Sequence, residues 1–155
     1  MLRISKLADY GTVIMVYLAN HPELLCNARD IADQTHLKLP TVSKLLKRLT
    51  GAGLLISVRG VSGGYRLQGE AAHISIAQII YALEDQKGLV ECSAHQSACS
   101  LQHVCGIQGN WRLISQSIEA ALNSVSLEAL AKPILQSHEI NMIHHAASRA
   151  TRGAL

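Results

Sequence analysis

Apolar residues crowd one broad face of the first twenty positions, with Leu7, Val13, Ile14, Val16, Tyr17 and Leu18 predicting an amphipathic helix from Ile4 to Asn20. Ser5 carries the hydroxyl an N-cap uses. Pro22 disfavours helical backbone in the residue before it, so the helix ends at His21-Pro22. Asn27 then caps a short helix, ARDIADQTH, with Ile31 and Ala32 pointing inward. A turn through Leu37-Lys38-Leu39 leads to Pro40, which suits the first turn of a helix. The segment PTVSKLLKRLTGAG sets Val42, Leu45, Leu46 and Leu49 against Thr41, Ser43, Lys44, Lys47 and Arg48. Gly51 or Gly53 stops it.

Beyond those glycines the period shortens. LLISVRG reads as a strand, VSGG as a glycine-rich turn and YRL as a returning strand, together a β-hairpin. Ile74 to Glu84, capped near Ser75, is again amphipathic through Ile76, Ile79, Ile80 and Leu83. A long helix follows from Ile107 to Ser124, its apolar stripe formed by Ile107, Trp111, Ile114, Ile118, Leu122 and Val125. That stripe lies beyond the compact unit and needs a partner. A second copy of the same helix is the simplest one and gives a two-fold dimer; folding back on its own domain is the alternative. Ser126 and Glu128 begin a further short helix, SLEALA, and the tail after Pro133 has no decisive pattern.

The expected fold is therefore mainly α: a winged helix-turn-helix domain with a small β-hairpin wing, plus a long dimerisation helix. The expected organisation is a DNA-binding domain over 1–84, a cysteine-rich loop over 85–106, a dimerisation region over 107–132 and a tail over 133–155.

Composition narrows the core. Phenylalanine is absent and aromatics make up 3% of the chain, so the core must be leucine, isoleucine, valine and alanine, which favours packed helices. No apolar run reaches membrane-spanning length, and the N-terminus reads as a mature helix rather than a signal peptide. A cytoplasmic location is expected, where cysteines serve metals more often than disulfides. The net charge of +3 says less than its distribution. Between Lys38 and Arg66 stand six basic residues (Lys38, Lys44, Lys47, Arg48, Arg59 and Arg66) and no acidic one. A local patch of one sign is what phosphate binding requires. Pro40, Thr41, Ser43, Lys44, Lys47, Arg48 and Arg59 are the candidate DNA contacts. Thr41, Ser43 and Lys44 face bases or phosphates, Lys47 and Arg48 face phosphates, and Arg59, beside the wing turn, reaches the minor groove.

The candidate chemistry lies in ECSAHQSACSLQHVCGIQGNW, from Glu91 to Trp111. It holds Cys92, Cys99 and Cys105, with six residues between the first pair and five between the second, and His95 and His103 among them. Thiolates bind soft or borderline metals. The spacing is wider than the C-x-x-C bite of a zinc knuckle and suits a larger object such as an iron–sulfur cluster, which takes cysteines plus a fourth group. Buried, unrelated cysteines are the plain alternative, but the loop is too polar to be core.

On these residues the chain resembles the IscR/NsrR-type family of bacterial winged-helix regulators. The resemblance rests on MLRISKLADYG, LKLPTVSKLLKRLTGAGLL, SVRGVSGGYRL, ISIAQIIYALE and the three-cysteine loop before Trp111-Arg112. The opening is most similar to the branch that regulates SUF iron–sulfur assembly genes. The resemblance implies a dimeric regulator, most simply a repressor of a palindromic double-stranded DNA operator, whose binding follows the state of an iron–sulfur cluster, 2Fe–2S before 4Fe–4S. Cys92, Cys99 and Cys105 match the family's cluster ligands. Two positions depart from the family pattern: the first cysteine gap is one residue longer than usual, and Gln108, a poor iron ligand, stands where a histidine is found. The fourth ligand is open between Asp9 of the partner subunit, which one branch uses, and the local His95 and His103. The rival readings are a structural zinc, cluster-free reactive cysteines and a nitric-oxide-sensing repressor. No catalytic constellation accompanies the cysteines, so neither an enzyme nor a small-molecule substrate is expected.

Overall fold

The computed structural model describes residues 4–84, 90, 99 and 104–132. The architecture is mainly helical with one antiparallel hairpin, in the order α1 (Lys6–Ala19), α2 (Ala28–Thr35), α3 (Leu39–Gly51), β1 (Leu55–Val58), β2 (Gly64–Leu67), α4 (Ile76–Leu83), α5 (Gln108–Asn123) and α6 (Leu127–Ala131). A short 3-10 turn, Ala71–His73, precedes α4 and has no counterpart in the sequence reading.

Local chemistry sets the boundaries. Ser5 caps α1 by accepting from the Ala8 N–H at 3.2 Å. Asn27 caps α2 by accepting from the Arg29 and Asp30 N–H groups. Ser75 and Gln78 form a reciprocal capping box at α4, in which the Ser75 N–H donates to Gln78 Oε1 at 2.8 Å. Ser126 caps α6 through the Ala129 N–H. At the C-terminus of α3, Gly53 takes φ +75°, so that its N–H reaches Thr50 O and the Leu54 N–H reaches Leu49 O. This is a Schellman stop, and it favours the residue without a Cβ.

The inward face of α1 is Ala8, Gly11, Ile14, Met15 and Leu18, whereas Val13 is exposed, so the buried stripe is narrower than the sequence suggests. These side chains pack with Ile31, Val42, Leu45, Leu46, Leu49, Leu55, Ile79, Leu83 and Leu127 in one core. The hairpin pairs Leu55 with Leu67 and Val58 with Gly64. Cys26 joins its edge, donating its N–H to Tyr65 O at 3.0 Å and accepting from the Tyr65 N–H at 2.8 Å. The wing is thereby fastened to the segment between α1 and α2.

The corner between α5 and α6 is tied in as well. The Ile76 N–H donates to Val125 O at 3.0 Å, and the Leu127 N–H donates to Ile74 O at 2.7 Å. Leu127 is fully buried in the common core. The long helix itself buries no residue completely. Its apolar stripe divides: Trp111, Ile118 and Leu122 are half-buried, while Ile107, Leu113 and Ile114 remain 56%, 37% and 44% exposed. Tyr81 of α4 hydrogen-bonds Glu119 of α5, and burial together with that carboxylate pushes the phenol's pKa up. The phenol therefore stays protonated and serves as the donor.

Candidate nucleic-acid interface and cysteine site

The α2–α3 pair turns through His36, whose φ of 56° makes it the left-handed cap of α2. Histidine is among the residues enriched at positive φ, but no glycine or asparagine marked the turn in sequence. The core leucines of α3 point inward, and Pro40, Ser43, Lys44 and Lys47 are exposed on the other side. Thr41 and Arg48 are half-buried at its margins. No acidic residue lies on α3.

Arg59 follows the last residue of β1 directly and is exposed, and Arg66 is exposed on β2. Between them the turn closes with the Gly63 N–H on Gly60 O at 3.0 Å, and Val61 stands fully exposed at the tip. A helix with one cationic face, followed by a cationic hairpin, presents charge to two features of a duplex at once. Two open clefts of about 240 and 270 Å³ share Gln68, Gly69 and Glu70 as lining and lie away from the exposed face of α3.

Of the cysteine site, Cys92, His95 and His103 fall outside the described residues. Cys99 and Cys105 are half-buried and free of disulfides. Cys105 stands three residues before Gln108, the first residue of α5. Among the described residues no three potential metal ligands converge. A thiol is a donor suited to a thiophilic metal, and Cys105 stands where the chain leads into α5. Asp9 is exposed in the first turn of α1. The start of that helix is tied to α4, where the Ser5 N–H donates to Glu84 Oε1 at 3.3 Å. The N-cap of α1, four residues before Asp9, thus lies beside the point at which the chain leaves α4.

The fourth cysteine is different. Cys26 is 5% exposed and part of the core. Burial pushes its thiol pKa above the ordinary value, a hydrogen bond with Tyr17 offsets part of that, and the Asp30 charge adds to it. It stays a thiol, which is the wrong form for a metal ligand.

A cationic recognition helix followed by a hairpin wing, with a long helix tied into the same core, defines a winged-helix DNA-binding regulator. The chain belongs to the Rrf2 family, described as iron-dependent transcriptional regulators, which it matches over residues 4–133. It is 31% identical over 130 residues to the HTH-type transcriptional regulator IscR of Photorhabdus laumondii, covering 83% of this chain and 79% of that protein. It is 27% identical over 133 residues to the regulator NsrR of Bacillus subtilis, covering 84% and 91%. Among solved structures, CymR, the global cysteine regulator of B. subtilis, superposes with a TM-score of 0.67 at 32% identity, covering 86% of this chain and 99% of that one. IscR of T. potens gives 0.63 at 30% identity, covering 90% and 96%.

Proposed function

We propose that this regulator binds a palindromic operator as a homodimer, and that its affinity follows the state of an iron–sulfur cluster held by Cys92, Cys99 and Cys105. The observation that carries the reading is Cys105, half-buried and outside any disulfide, three residues before the helix whose far end is tied into the DNA-binding core. A bound cluster would supply a redox-labile cross-link between these thiolates, with 2Fe–2S favoured. Asp9 of the partner subunit is the preferred fourth ligand over His95 and His103, because a ligand given across the dimer couples the site to subunit geometry.

The residues of the chain do the rest. Pro40, Thr41, Ser43 and Lys44 address the major groove, Lys47 and Arg48 the phosphates, and Arg59 the minor groove. Ile107, Leu113 and Ile114 offer an apolar strip to a second copy of α5. The operator genes are assigned to SUF-type iron–sulfur assembly on the similarity of the opening residues.

Anaerobic purification with a visible spectrum and iron, sulfide and zinc analysis tests the reading. A brown protein with equimolar iron and sulfide is expected, together with binding to a SUF-promoter duplex that weakens steeply with salt and changes when the cluster is removed. A colourless zinc protein, or a metal-free one that resists reconstitution, overturns the cluster and leaves a DNA-binding regulator with another signal.

A further inference from the structure

The wing turn carries a side chain that charge alone does not account for. The Gly63 N–H on Gly60 O closes the turn, which makes Val61 and Ser62 its two central residues. Both are exposed, and Val61, at 109%, is the most exposed large hydrophobic among the described residues. Turn centres are usually built of Gly, Pro, Asn, Asp or Ser. A β-branched apolar side chain in full contact with water gains nothing from the fold at that position.

A lone exposed valine on a broad surface is ordinary, but Val61 stands at an apex. Its flanks are bare: Gly60 takes φ +123°, and a Cβ on Gly63 would overlap the Val58 carbonyl oxygen. The apex therefore presents only Val61 and Ser62, a slim tip for a minor groove about 6 Å wide. Arg59 adjoins it, and no acidic residue stands between Lys38 and Arg66 to oppose the approach to a phosphate-lined groove. The floor of that groove offers acceptors at every base pair, and G·C adds the guanine N2 amino group. An apolar side chain against the floor would be held off by that amino group and would leave it buried without an acceptor. The acceptors are common to both pairs, so the amino group alone decides.

We propose that Val61 sets a preference for A·T pairs where the wing enters the minor groove, through a contact with the groove floor that the guanine amino group blocks. The inference rests on the reading of the hairpin as a minor-groove wing. It adds a residue that reads sequence beside Arg59, which supplies charge and follows groove width.

The test uses the full-length protein and a duplex that it selects from a random pool. Each A·T pair of that duplex is replaced in turn by G·C and by inosine·C, which keeps the major-groove face of G·C but lacks the N2 amino group. Affinities are measured for the wild type, Val61→Ser and Val61→Asn, all of which should fold because Val61 makes no core contact. The expected result is one or more A·T pairs at which wild-type affinity falls about tenfold on G·C and is kept on inosine·C. Pairs read in the major groove lose affinity on both. In Val61→Ser the G·C loss should shrink, and in Val61→Asn, whose amide oxygen accepts from the amino group, it should vanish. A duplex in which no A·T pair separates G·C from inosine·C overturns the proposal. So does a G·C loss that is equal in all three proteins, which assigns the preference to groove width and Arg59. An Arg59→Ala protein that binds the selected duplex as tightly as the wild type removes the wing from the groove, and with it the reading on which Val61 depends.

Discussion

Gly11 is a residue whose role sequence alone could not give. A glycine inside a helix reads only as a penalty of about 1 kcal/mol. In the structure a Cβ built on it falls 2.0 Å from Leu83 Cδ1, so any side chain there forces the buried Leu83 out of its place in the core. Gly11→Ala should therefore destabilise the fold by roughly 1–3 kcal/mol through overpacking, measured as a lower urea midpoint with an unchanged m-value. His36 and Cys26 were illegible for a similar reason. The left-handed cap and the buried thiol depend on neighbours that local pattern does not record. The charged candidates were easier: Lys44, Lys47 and Arg59 had no acidic neighbour to hide them, and all three are exposed.

At the scale of elements, the helices with polar caps were read to within a residue or two, since Ser5, Asn27, Ser75 and Ser126 each announce a start. The third helix begins at Leu39, one residue before Pro40, with Lys38 as an N-cap that makes no side-chain bond. That boundary had no hydroxyl or amide to mark it. The strands are shorter than the apolar runs that predict them, because Leu54 already belongs to the helix stop and Arg59 to the turn. The wing carries its own prediction. Arg59→Ala should weaken operator affinity by about 1–3 kcal/mol and lower the salt slope by about one, seen in binding isotherms at several salt concentrations. Its fold should be unaffected, because the guanidinium is exposed. Equal affinity with and without Arg59 would take the wing out of DNA recognition.

For the whole molecule, the apolar stripe of α5 posed two alternatives, a partner copy or the chain's own domain, and the structure divides it between an inward and an outward set. Periodicity identifies a face but not what covers it. The outward set makes the dimer testable: Ile114→Lys should yield a monomer by light scattering while keeping the helical spectrum. Its operator affinity should drop by about 10²–10⁴, the usual worth of linking two half-site contacts. A dimeric Ile114→Lys protein would move the interface elsewhere. The pair of backbone bonds joining residues 74–76 to residues 125–127 has a mechanical meaning. With its C-terminal end built into the core, α5 is a cantilever about 24 Å long, at 1.5 Å per residue for sixteen residues. Cys105 sits just before the other end of that beam. A displacement there of about 2 Å would turn the beam by about 5° over this length, and the two backbone bonds would deliver that turn as an angle at the start of α4, which packs against the recognition helix.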